Sequence, residues 1–144
     1  MSNNTPIAAS PDFPWTEGLT YNQAVKAGDL VFTAGQGGFK ADGSLDADFE
    51  AQARQALANV EAALQVFSAD LQSAVKLTVF LVDADDYGKF KELREELFDA
   101  PYPASTLLLG TPVFPEMLIE VEAVASIAGP RQPLAEPTAS DLVR

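Results

Sequence analysis

The chain has 144 residues, 47% hydrophobic and 21% charged, a composition that fits one globular domain long enough to bury its own core. Nine basic against 21 acidic residues leave a net charge of −12 and a pI near 4.1, which argues against binding driven by nucleic-acid phosphates or anionic membranes. There is no His and no Cys, which excludes thiol redox chemistry, disulfides, His-dependent nucleophiles and metal sites built on imidazole or thiolate. Acid–base chemistry is left to Asp, Glu, Lys, Tyr or ordered water.

Residues 1–15 are polar, contain Pro6, Pro11 and Pro14, and have no Lys or Arg, so they read as a flexible arm and not as a signal peptide. No apolar run approaches the roughly 18 residues that span a bilayer, and a cytoplasmic location is expected. Residues 16–128 form the expected domain, and the Pro-rich stretch 129–144 reads as a tail.

The first strand is short and mixed, over 22–26, and Ala27-Gly28-Asp29 supplies a turn. The run Leu30-Val31-Phe32-Thr33 predicts a buried strand ending at the loop Gly35-Gln36-Gly37-Gly38. From Asp48, a plausible N-cap, the period changes: Phe49, Ala53, Ala56, Leu57, Val60, Leu64 and Phe67 mark a long amphipathic helix. Residues 75–82 predict a strand buried on both sides. Asp85 or Asp86 can cap a second helix, with Phe90, Leu93, Leu97 and Phe98 as its apolar face and Pro101 as its stop. Strands over 105–109 and 118–127 complete the order ββαβαββ. This is an α+β fold with a mixed sheet. Two helices cover only one sheet face, so homo-oligomerisation is the economical cover for the other.

Few residues stand out chemically. Asp83, Asp85 and Gly88 suggest a calcium loop, but Tyr87 and Arg94 fall where oxygen ligands are required. Arg54 and Arg94 sit beside acidic residues and read most simply as solvated charges. Glu120 and Glu122 point to one strand face, about 7 Å apart, while Ile119, Val121 and Ala123 fill the other. In isolation that is a solvated acidic stripe. If a second subunit covers it, a partly desolvated carboxylate becomes the obvious acid–base candidate. Tyr21, Ser105 and Thr106 offer hydroxyls to a ligand, although each is also an ordinary strand-edge residue.

Taken together, several blocks resemble the RidA/YjgF family of reactive-intermediate imine/enamine deaminases, also labelled L-PSP endoribonucleases. They are Tyr21-Asn22-Gln23-Ala24-Val25, Gly28-Asp29-Leu30-Val31-Phe32 with Gly35-Gln36, residues 52–60, Val75-Lys76-Leu77-Thr78-Val79-Phe80-Leu81, Asp86-Tyr87, Pro103-Ala104 and Ile119-Glu120-Val121-Glu122-Ala123-Val124-Ala125. The resemblance implies a chorismate-mutase-like fold, a homotrimer around a barrel-like interior, and small-molecule clefts between subunits. It also implies hydrolysis of 2-aminoacrylate-type intermediates without metal or cofactor. An imine carbon is already electrophilic, so the protein need only hold the substrate and position a water.

The chain departs from that pattern at the substrate clamp. Deaminating members read Pro-Ala-Arg, where this chain reads Pro103-Ala104-Ser105, and the Ser of the usual Ser-Gly-Gln block is Ala34. Losing a charged clamp costs on the order of 2–5 kcal/mol of binding. Lys91 stands where an Asn often occurs and is a candidate replacement for the charge. The resemblance therefore implies Glu120 as the residue that positions water and Tyr21, Gly35, Lys91, Ser105 and Thr106 as substrate contacts. Two functions remain open: a cofactor-free imine or enamine hydrolase of altered substrate, and a trimer that binds a small metabolite without turnover. Ribonuclease activity is disfavoured by the net charge of −12 and the lack of His.

Overall fold

A computed structural model describes residues 4–135. Its elements in chain order are β1 (Ile7–Ala9), β2 (Ala24–Ala27), β3 (Leu30–Thr33), α1 (Phe49–Gln65), β4 (Ala74–Leu81), α2 (Tyr87–Leu97), β5 (Ala104–Leu109) and β6 (Ile119–Ser126). They form one six-stranded sheet in the order β1-β2-β3-β6-β4-β5. All pairs are antiparallel except β4 with β5, which α2 joins by a parallel crossover. The expected mixed α+β sheet is present. Its first strand lies in the segment expected to be a loose arm, where Ile7–Ala9 pairs with 24–26 at the sheet edge.

Local chemistry sets the element ends. Gly28 turns β2 into β3 with φ 60°, a left-handed angle that glycine adopts without strain. Asp48 caps α1 as expected, its carboxylate accepting from the Ala51 N–H at 3.0 Å. Asp86 occupies the cap position of α2, but its side chain makes no capping bond. The capping carboxylate is Asp83, which accepts from the Asp85 N–H at 2.9 Å in a 3-10 turn leading into the helix.

The core lies between the sheet and the helices. Ala53, Ala56, Leu57, Val60 and Leu64 of α1 are fully buried against Val31, Leu77, Val79, Leu81, Ile119 and Val121. Phe90 and Leu93 bring α2 into the same cluster. Burial on both sides of β4 is not found within one chain. Leu77, Val79 and Leu81 are inaccessible, whereas Lys76, Thr78 and Phe80 on the opposite face are only partly covered. That helix-free face also carries Phe32 and Leu108, 43% and 47% exposed, in register with Val124 and Phe80.

The segment expected as a tail is anchored as far as it is described. Arg131 donates to the carbonyls of Gln72 and Ala74 at 2.6 Å and of Asp99 at 2.7 Å, and also to that of Pro101. The rest of the segment, 136–144, lies outside the described residues.

Candidate functional site

Glu120 is the second residue of β6 and lies on the helix-free face, because its neighbours Ile119 and Val121 point into the core. Its carboxylate rests on Gly35, just beyond β3; a Cβ at that position would overlap Glu120 Oε1. Glu120 lines a cavity of about 420 Å³ together with Tyr21, Gln23, Gly35 and Gln36. Trp15, Leu19, Phe39, Val113, Phe114 and Met117 form the walls. The tertiary structure thus brings Tyr21, Gly35 and Glu120 together from three segments.

Buried amides hold these segments and the cavity walls. Gln36 and Val121 exchange two backbone hydrogen bonds, 2.8 and 3.0 Å, and Gln36 Nε2 donates to Gln23 Oε1 at 2.5 Å. From α1, Asn59 Nδ2 donates to the carbonyls of Gly37 and Phe39, both at 2.9 Å. One face-repeat earlier, Gln52 Nε2 donates to the carbonyls of Asp46 and Glu116 at 2.7 and 2.8 Å. Gln52 Oε1 accepts from the Leu118 N–H at 2.9 Å. Both loops that wall the cavity are therefore fastened to the same helix. The sequence shows the signal: Gln52 and Asn59 fall at the core-facing spacing of an otherwise apolar helix, where a polar residue requires partners.

Partial burial pushes the Glu120 carboxyl above its usual range, and the like charge of Glu122 pushes it the same way. The raised value arises within a single chain, before any second subunit covers the face. Among the described residues, no three acidic side chains gather to hold a metal ion.

Ser105 lies in a separate cleft of about 430 Å³ between β5 and α2, with Tyr87, Arg94, Glu95, Tyr102, Pro103 and Leu107. Arg94 Nη1 donates to Ser105 Oγ at 3.2 Å, and its guanidinium carbon is 5.8 Å from the Phe90 ring centre. No carboxylate pairs with Arg94 among the described residues. The expectation of a solvated charge passed over this contact. The available signal was that Arg94 follows buried Phe90 by one helical turn and so sits at the edge of the packed face. Arg54, by contrast, does hold surface charges together: it bonds Glu50 of its own helix and both oxygens of Glu96 on α2, while Glu61 accepts from the Leu71 N–H.

The remaining predicted contacts lie apart. Thr106 is on the Glu120 face, where Lys76 Nζ donates to its Oγ1 at 2.5 Å. Lys91 is exposed on α2 and pairs with Glu95 at 3.5 Å. Ser105 pairs with Leu77 and Glu120 with Phe80, three residues apart on β4, so the two side chains occupy opposite sheet faces. Within one chain Glu120 and Ser105 do not converge.

The sequence profile of the family described as Endoribonuclease L-PSP matches residues 16–127. The chain belongs to this family, the RidA/YjgF family. It is 36% identical over 107 residues to a RutC family protein of Pyrococcus horikoshii, covering 73% of this chain and 85% of that one. It is 32% identical over 109 residues to TdcF of Escherichia coli K12, named provisionally as a reactive intermediate deaminase, covering 73% and 84%. The crystal structure of RidA from an Antarctic Psychrobacter superposes with a TM-score of 0.73 at 30% identity, covering 82% of this chain and 94% of that one. In this RidA/YjgF member position 105 is serine, and the Arg94 guanidinium reaches its hydroxyl from α2.

Proposed function

We propose that this protein hydrolyses a small imine or enamine intermediate, releasing ammonia and a carbonyl compound, at a cleft completed by a second subunit of a homotrimer. The observation that carries this reading is the Glu120 carboxylate, half-buried over Gly35 in the lining of a cavity and titrating above the usual range. A carboxylate so placed is a stronger base than one in water and sits nearer the operating pH of a general acid–base catalyst.

In this mechanism Glu120 takes a proton from a water as the water oxygen bonds to the imine carbon. The substrate reacts as its protonated iminium form, so the C=N π electrons move to nitrogen and give a neutral carbinolamine. The carbinolamine hydroxyl then loses its proton to solvent, the Glu120 carboxyl gives its proton to the departing nitrogen, and the C–N bond breaks to leave a carbonyl compound and ammonia. Tyr21, beside Glu120, offers a hydroxyl to the same centre. No redox partner enters the balance.

The trimer draws its support from two features. The helix-free sheet face leaves Phe32 and Leu108 exposed. The cleft holding Ser105 and Arg94 faces away from Glu120, so only a neighbouring chain can bring a substrate against both. Arg94, without a carboxylate partner among the described residues, gives that half-site a positive charge, whereas Lys91 is paired with Glu95.

The test supplies 2-aminoacrylate from a dehydratase and measures keto-acid release with the wild type, Glu120→Gln and Ser105→Arg. Acceleration by the wild type, cut at least about 100-fold in Glu120→Gln, is expected for loss of general acid–base catalysis. Acceleration only in Ser105→Arg restricts the reading to an altered substrate. Silence in all three favours the second reading, metabolite binding without turnover, which the serine at position 105 supports. Sedimentation at the monomer mass would remove the intersubunit cleft.

A further inference from the structure

The cavity that Glu120 lines takes its polar side chains from Tyr21, Gln23, Gln36 and Glu120 itself. Trp15, Leu19, Phe39, Val113, Phe114 and Met117 present apolar surface around about 420 Å³. The rings are already arrayed against one another. Phe13 stacks on Trp15 with centroids 4.5 Å apart, Trp15 lies 6.2 Å from Phe39, and Phe39 meets Phe114 edge-on at 5.7 Å. Asn59 and Gln52 fasten the segments carrying Phe39 and Met117 to α1, so these walls are formed before anything binds. At the mouth Val113 is 87% and Phe114 54% exposed, apolar side chains held towards solvent.

From these features we infer that the cavity receives a bulky apolar side chain, and that the substrate is a 2-imino acid bearing an arylalkyl group. The inference rests on the proposed imine hydrolysis and names its substrate class. A substrate whose side chain is a single methylene group is held more weakly, because it leaves most of the volume to water against apolar walls. An arylalkyl group fills the space and offers its ring to Trp15, Phe39 and Phe114 in the offset and edge-on geometries aromatic pairs prefer. The reacting carbon then lies beside Glu120, the only carboxylate among the described residues that line the cavity. Apolar pockets of this kind select side chains by size, about 10- to 200-fold per methylene group.

The experiment has a catalytic arm and a binding arm. L-Amino-acid oxidase generates the imines of phenylalanine and alanine in place, and competition with semicarbazide follows their hydrolysis. The wild type is expected to consume the phenylalanine-derived imine with kcat/KM at least about tenfold above the alanine-derived one. Trp15→Ala and Phe114→Ala bring that ratio to within about twofold, and Trp15→Phe, which keeps an aromatic ring, retains it. Because Trp15 is the single tryptophan, its fluorescence reports the cavity directly. 3-Phenylpropanoate is expected to shift its emission at concentrations where propanoate does not, and Phe114→Ala abolishes the shift.

A wild-type ratio near one, or equal responses to the two acids, overturns the inference. Emission that follows protein concentration and ignores both acids also overturns it, because a second chain then fills the space. A fluorescence response to 3-phenylpropanoate with no imine consumed leaves the cavity assignment standing and removes the hydrolysis reading. Glu120-dependent turnover of the alanine-derived imine with no fluorescence response does the reverse.

Discussion

The Glu120 carboxylate occupies space that a side chain at position 35 would need, resting directly on the Gly35 backbone. The glycine is there for close approach and not for an unusual turn angle, since its φ is not among the left-handed ones. A carboxylate laid against backbone is shielded from water on one side while staying open to the cavity on the other.

Gly35→Ala therefore acts through Glu120. The added methyl group displaces the carboxylate and lowers kcat at least about tenfold, as a misplaced catalytic group does. Imine turnover measures the loss, and circular dichroism checks that the sheet is retained.

The raised Glu120 pKa fixes two pH dependences. As a base it must be ionised, so kcat/KM falls on the acid side through a limb lying above the ordinary glutamate range, and Glu122→Gln moves that limb down by removing the like charge. For stability the sign is opposite. A carboxyl whose pKa is higher folded than unfolded stabilises the fold below the unfolded value, and that contribution is lost as pH rises through the folded value. Glu120→Gln is expected to raise the melting temperature at pH 7 and to leave it unchanged near pH 3.5.

Gln52 joins α1 to two loops through three hydrogen bonds. Gln52→Leu keeps the volume but strands the Asp46 and Glu116 carbonyls and the Leu118 N–H, and should destabilise the fold by about 3 kcal/mol. Urea denaturation measures it. A shift of less than half that size would mean that water replaces the amide.

Arg94 carries the charge in the cleft beside Ser105. Arg94→Gln is expected to weaken pyruvate binding at least about tenfold and to leave pyruvamide, its uncharged isostere, unaffected. Calorimetric titration of the two ligands separates lost charge from lost shape.

Arg131 donates to four backbone carbonyls around the end of α2 and the start of β4. Arg131→Gln reaches few of them and should lower stability by about 1–3 kcal/mol, read from thermal unfolding.

The sequence by itself determined the order of the elements from β2 onward, the α1 cap at Asp48 and the single acid–base candidate. Each follows from periodicity, local hydrogen bonding or the absence of His and Cys, which neighbouring residues express without help from the fold. It also marked Tyr21, Gly35 and Glu120 one by one. Only the tertiary structure decided that these three share a cavity, because β6 enters the sheet between β3 and β4 and sets Val121 against Gln36. The same register placed Ser105 on the opposite face, and packing turned Arg94 from a surface charge into its partner. Strand order and cross-strand register arise from contacts far apart along the chain, and no local pattern carries them. Neither residues 7–9 nor Arg131 gave a local sign of their anchoring, for a related reason. Both are held by backbone groups that every sequence has and that only the folded chain presents in the right place.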